Sequence, residues 1–170
     1  IRPESSYKQF FDSIKQGEEL TVLGPVGRFT LPEDSSKRIV FLGDGIGITP
    51  FRSMAKFAAD KHLPHKITLL YSNRTPEDII FRKEWDDLAK ENPNFTVAHT
   101  IKEPLSSEEK WDGRVGIIDE ALIREHVQDL SKALFYLCGE PKVVREFGGV
   151  LRGLGVTSSQ VSVDAFFGYD

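Results

Sequence analysis

Apolar and polar positions along this chain change period several times. Residues 39–43 form a short, β-branched apolar run of the length of a buried strand. Residues 50–61 read as a helix opening on Pro50, whose missing N–H costs nothing in a first turn. Residues 66–72 read as a strand, with Ile67, Leu69 and Tyr71 alternating with Thr68 and Leu70. Over 77–91, Ile80, Phe81, Trp85 and Leu88 recur near helical spacing, and Thr75-Pro76 with Asp78 makes an N-terminal capping pattern. Residues 95–101 form the next strand, 102–116 a long polar loop, and 119–126 a short helix. A strand over 133–138, a helix over 141–154 and a last strand over 161–164 complete the pattern. Strands separated by helices imply parallel pairing with right-handed crossovers. The expected fold is α/β: a three-layer α-β-α domain around a parallel five-stranded sheet.

The beginning of the chain follows another pattern. Ser5 or Ser6 caps a helix over 7–15, stopped by Gly17. Residues 20–23 and 28–31 read as strands, and 33–37 (Glu33-Asp34-Ser35-Ser36-Lys37) as a hinge. The expected division is therefore 1–36 and 37–170.

The first strand of the larger unit runs into Gly43-Asp44-Gly45-Ile46-Gly47-Ile48-Thr49-Pro50. Glycines let the backbone bend sharply and approach a ligand closely. The helix that follows turns its positive N-terminus toward the bend, where an anion such as a pyrophosphate binds. The usual dinucleotide fingerprint is G-x-G-x-x-G; here the order is G-x-G-x-G-x-T-P. Ligands of such sheets lie at the carboxyl ends of the strands. Ser72, Asn73, Arg74, Thr100, Cys138, Gly139 and Asp164 fall at such ends.

Composition narrows the options. The net charge of −4 gives no support to a nucleic-acid partner, which favours a basic face. No apolar run approaches the ~20 residues that cross a bilayer, so no membrane insertion is expected. Cys138 is the one cysteine, which excludes an internal disulfide and a self-contained cysteine-ligated iron–sulfur cluster. A reducing, cytoplasmic setting follows. The four histidines make no metal pattern, and His62 and His65 read as a surface loop around Leu63-Pro64. Neither a G-x-S-x-G elbow nor a Lys-[Ser/Thr] ending of the glycine loop is present.

The Gly-x-Thr-Pro bend resembles that of the NAD(P)H-binding domain of the ferredoxin–NADP reductase family. Gly24-Pro25-Val26-Gly27-Arg28-Phe29, Tyr71-Ser72-Asn73-Arg74, Cys138-Gly139-Glu140-Pro141 and Asp164-Ala165-Phe166-Phe167-Gly168-Tyr169 resemble the family's further segments in the expected order. The resemblance implies an NAD(P)H-dependent flavoprotein oxidoreductase that passes electrons from nicotinamide through FAD to an acceptor protein or domain, ferredoxin-like or other. It implies that Gly43, Gly45, Ile46, Gly47, Thr49 and Pro50 hold the pyrophosphate and nicotinamide ribose. Ser72, Asn73, Arg74 and Arg82 would serve the adenosine ribose or its 2′-phosphate. Cys138 and Asp164 would flank the reacting nicotinamide, with Gly139, Glu140 and Pro141 beside it. Ser5 and Tyr7, in the family's S-x-[FY]-K helix start, and Phe166 and Tyr169 would lie near the flavin. In the family a flavin-binding antiparallel barrel precedes the nucleotide domain, so 1–36 is expected to be the C-terminal remnant of that barrel, and the chain a piece of a longer protein. Asp44 and Glu140 depart from the family pattern. Two extra acids near a dianionic ligand leave open a second expectation: a nucleotide-sensing or electron-transfer subunit with a degenerate site.

Overall fold

A computed structural model describes residues 5–24 and 26–166; Pro25 and Tyr169 lie outside them. A six-stranded parallel sheet occupies the middle, in the order β4-β3-β2-β1-β5-β6. The strands are β1 (Arg38–Asp44), β2 (Ile67–Asn73), β3 (Phe95–Ile101), β4 (Arg114–Val115), β5 (Ala133–Gly139) and β6 (Val161–Ala165). The helices are α1 (Ser6–Ser13), α2 (Thr49–Asp60), α3 (Arg82–Glu91), α4 (Glu120–His126) and α5 (Pro141–Gly153).

β1 is buried on both faces, which is why its sequence is a continuous apolar run and not an alternating one. Ile39 and Phe41 pack with Phe51, Met54, Ala55 and Ala58 of α2 and Trp85 of α3. Val40 and Leu42 pack with Leu122 and Ile123 of α4 and Val144, Phe147 and Leu151 of α5. Burying side chains of this size stabilises by roughly 1.5–3 kcal/mol each. On the first face, the rings of Phe41 and Phe51 stack at 4.5 Å.

All five expected strands of the larger unit form, and a sixth, β4, extends the sheet from within the expected polar loop 102–116. That loop also holds a 3-10 turn, Pro104–Ser106. The expected helix over 77–91 is split. A capped 3-10 turn, Pro76–Asp78, comes first, and α3 begins only after Phe81, whose φ of +59° ends any continuous helix.

The two strands expected at 20–23 and 28–31 do not form. Leu20, Val22, Leu23 and Val26 are exposed, and a strand without paired neighbours is not stable in water. Among the described residues before Arg38, no strand of a barrel forms. α1 buries none of its residues. Residues 29–32 are instead bound to the sheet domain. Phe29 meets Tyr136 edge-on at 5.3 Å, Tyr136 donates its hydroxyl hydrogen to the Thr30 carbonyl at 3.0 Å, and His65 donates from Nε2 to the Pro32 carbonyl at 2.8 Å. His65 is thus buried, not on a surface loop.

Candidate functional site

The chain moves outward from β1 through β2, β3 and β4, then returns to place β5 on the other side of β1. The sheet order reverses between β1 and β5, and sheets of this kind hold their ligand crevice at such a reversal, outside the carboxyl ends of the strands. α2 follows β1 and α5 follows β5, each with a proline in its first turn. Two helix N-termini, rich in N–H groups without an intrahelical acceptor, therefore follow the carboxyl ends of these two neighbouring strands.

The glycine bend is a short 3-10 turn, Gly45–Ile48, leading directly into Thr49 and Pro50. Its glycines have different physical roles. Gly45 has a φ of +50°, and a Cβ there would meet nothing within 4 Å. Gly43 lies against the Phe51 ring, 3.4 Å from where a Cβ would stand. At Gly47 a Cβ would lie 2.3 Å from the Cys138 carbonyl oxygen and 2.9 Å from the Gly139 Cα. Gly47 is therefore required by the protein's own backbone: only a residue without a side chain lets the bend seat against β5. Ile46 and Thr49 are exposed at the outer side of the bend.

That contact carries the bend to the end of β5. Gly43 is in register with Cys138, and Cys138 with Asp164 on β6. Gly139 has a φ of +149° and accepts a hydrogen bond from the Phe166 N–H at 2.9 Å. Gly47, Cys138, Gly139, Asp164 and Phe166 thus share one edge of the sheet. Burial pushes the Cys138 thiol up to about 12, and the nearby Asp164 carboxylate adds to the shift. The thiol stays protonated at physiological pH and cannot act as a thiolate nucleophile; it offers shape and a weak donor. Phe166 also packs against the core cluster that holds Phe51 and Tyr136. Glu140 is exposed at the N-cap of α5, and Pro141 opens that helix.

Asp44 is paired with a cation. Lys102, just beyond β3, reaches over the sheet edge and brings Nζ to 2.9 Å from Asp44 Oδ2. Tyr71 holds the bend from below, donating its hydroxyl hydrogen to the Gly45 carbonyl at 2.9 Å. Burial pushes this hydroxyl to about 12, so it remains a donor. The sequence alone singles out neither Lys102 nor Tyr71 as a site residue. For Tyr71 a signal exists, an aromatic hydroxyl two residues before a strand end; for Lys102 there is none.

Ser72 and Asn73 end β2, each 1% exposed. The Ser72 hydroxyl and both polar atoms of the Asn73 amide have no hydrogen-bond partner among the described residues. Buried polar groups left unpaired in this way point to a ligand or water. Arg74 follows, 3.7 Å from Asp78. Arg82, on the first turn of α3, pairs with Glu109 at 2.5 Å and stands over the Trp111 ring at 5.5 Å. Ser5 and Tyr7 are engaged within α1: Ser5 accepts from the Lys8 N–H at 3.3 Å, and Tyr7 meets Phe11 at 4.7 Å. Among the described residues, no group of three or more His, Cys, Asp and Glu side chains gathers as a metal ion requires, and no helix is long and apolar enough to cross a membrane.

A glycine bend and two helix N-termini at the reversal point of a parallel sheet define an α/β dinucleotide-binding domain. Residues 41–147 match the oxidoreductase NAD-binding domain family, and the chain belongs to it. It is 31% identical over 170 residues to a subunit of the Na(+)-translocating NADH-quinone reductase of Neisseria gonorrhoeae, covering 98% of this chain and 42% of that one. It is also 31% identical over 155 residues to the glycine betaine monooxygenase reductase subunit of Pseudomonas aeruginosa, covering 91% and 42% respectively. The chain thus spans well under half the length of these relatives. Its fold matches the cytochrome b5 reductase domain of Ulva prolifera nitrate reductase at a TM-score of 0.81 and 23% identity, over 94% of this chain and 66% of that one. It matches the CS-b5R domains of human Ncb5or, NAD+ form, at 0.76 and 25%, over 96% and 46%.

Proposed function

We propose that this chain is the NAD(P)H-binding part of a flavin-dependent reductase that passes electrons to a partner protein or domain. The observation that carries the reading is the seating of the Gly47 bend on the Cys138 carbonyl. It joins a diphosphate-binding turn to the strand ends that carry Cys138 and Asp164. When bound, NAD(P)H supplies a hydride and FAD, held mainly by the rest of a longer protein, accepts it.

The chain's own residues bind, orient and exclude water. Gly45, in open space, leaves room for a diphosphate, which the N-termini of α2 and α5 attract. Ser72 and Asn73 offer unpaired polar atoms, and Arg74 and Arg82 stand beyond them for the ribose end. Cys138, small and uncharged, lets a nicotinamide lie flat, and Asp164 orients it from the neighbouring strand. Phe166 covers the same edge, while Ser5, Tyr7 and Tyr169 belong to the flavin side. Residues 1–36 lead in from the flavin module and 37–170 form the nucleotide domain. The acceptor is a ferredoxin-like or oxygenase-type protein, and the setting is the reducing cytoplasm, consistent with the single thiol.

Titration calorimetry with NADH and with NADPH tests the reading. Binding of at least one below millimolar concentration supports it; failure of both at millimolar concentration supports the degenerate-site alternative. Glu140, an exposed acid at the α5 N-terminus, favours that alternative. Asp44 does so less, because Lys102 compensates its charge.

A further inference from the structure

We propose that the ribose end of this site selects NADH over NADPH, because its arginines are already engaged by carboxylates; this rests on the reading of the crevice given above. A 2′-phosphate needs an arginine fork or a similar cation to itself, whereas a 2′-hydroxyl needs only an acceptor.

Both arginines after β2 are met by carboxylates. Arg82 is held by Glu109 at 2.5 Å and lies over the Trp111 ring at 5.5 Å. Arg74 stands 3.7 Å from Asp78, which is itself fixed by accepting from the Thr75 N–H and hydroxyl at 3.1 and 2.9 Å. Glu77 accepts from the Ser107 hydroxyl at 2.5 Å and from the Glu109 N–H at 3.3 Å. These bonds hold Glu77 anionic, its carboxyl lowered to about 2, chiefly by Ser107. Asp78 and Glu109 thus pair with the two guanidinium groups, and Glu77 adds a third negative charge beside them. The 103–111 segment that carries Glu109 is laced onto the end of β2, the Glu103 N–H bonding to the Arg74 carbonyl at 2.8 Å.

A second, independent observation points to a ligand here. The hydroxyl of Ser72 and the amide of Asn73 end the same strand with unpaired atoms, although each residue is 1% exposed. Neutral hydroxyl and amide groups suit a ribose better than a phosphate dianion. A 2′-phosphate would have to displace Glu109 from Arg82 or lie among Glu77, Asp78 and Glu109 without a committed cation.

The test is calorimetric titration of the full chain with ADP-ribose and with 2′-phospho-ADP-ribose, which carry the ribose end without the nicotinamide. ADP-ribose is expected to bind at least about tenfold more tightly, as like-charge contact at this range implies. Glu109→Gln releases Arg82 and is expected to narrow that ratio about threefold or more. Equal or tighter binding of the 2′-phosphorylated probe overturns the selectivity while leaving the dinucleotide site standing. An unchanged ratio in Glu109→Gln overturns the role given to the Arg82–Glu109 pair. Failure of both probes to bind overturns the site itself, and the selectivity with it.

Discussion

Asp44 and Lys102 meet at the carboxyl edge of the sheet, Nζ 2.9 Å from Oδ2, although 58 positions separate them in sequence. The pair lies beside the glycine bend, so each member bears on any anion bound there. Removing the acid leaves Lys102 to attract phosphate; removing the lysine leaves the acid uncompensated. Asp44→Ala is expected to tighten dinucleotide binding about fivefold and Lys102→Ala to weaken it about as much, since partly exposed pairs are worth ~1 kcal/mol. Calorimetry at low and high salt reads both effects, which should shrink as salt rises. A shift of both variants in the same direction would remove the pair from the site.

Gly47 and Gly45 should respond differently to alanine. At Gly47 the new Cβ has backbone 2.3 Å away that cannot move aside without shifting β5. The expected loss is about 1–3 kcal/mol, as in other overpacked sites. At Gly45 the space is open, and the cost is that of a positive φ, about 1–2 kcal/mol. Urea unfolding measures the stabilities. Only Gly47→Ala should also move the Cys138 and Gly139 amide resonances; unmoved resonances would contradict the seating.

Stability should fall in alkali. The Cys138 thiol titrates near 9 when unfolded and at about 12 in the fold; the Tyr71 hydroxyl goes from 10 to about 12. Both groups hold their protons more tightly when folded. Their contributions are complete below the unfolded values and are lost as pH rises, from about 9 for Cys138 and from about 10 for Tyr71. Each group costs at most ~1.4 kcal/mol per pH unit over its window. Denaturant unfolding at stepped pH should show the decline, and Cys138→Ala should flatten its first part. Alkylation of native Cys138 at pH 8 should be far slower than in denaturant; equal rates would disprove the protonated, buried thiol.

The attachment of residues 29–32 is also testable. Tyr136→Phe removes the bond to the Thr30 carbonyl and should cost about 1 kcal/mol. Amide hydrogen exchange should quicken at 29–32 and remain slow in β1 and β5. Uniform quickening across the sheet would instead show that Tyr136 serves the whole core.

Much of the sheet is legible in the sequence because its strands announce themselves by length and apolarity. β1 is a continuous apolar run, and the Gly-x-Thr-Pro bend marks where it ends. β4 is illegible: Arg114 and Val115 have no pattern of their own and become a strand only because β3 offers an open edge. The break before α3 is hidden because Phe81 keeps helical spacing while its backbone leaves the helix. Residue preference alone suggests strands at 20–23 and 28–31, and it cannot report whether a pairing partner exists. Within the candidate site, Cys138 and Asp164 can be placed from their motifs. The Lys102–Asp44 pair cannot, because charge pairing over so long a separation is a product of the fold.

The chain has two tryptophans, and the fold treats them unequally. Trp85 is sealed beneath α3, its indole N–H donating to the Ile80 carbonyl at 3.0 Å. Trp111 is partly open and stands against Arg82. Reduced nicotinamide absorbs where indole emits, so quenching of both indoles would report occupancy optically with no dye attached, and Trp111→Phe would separate the exposed contribution from the buried one.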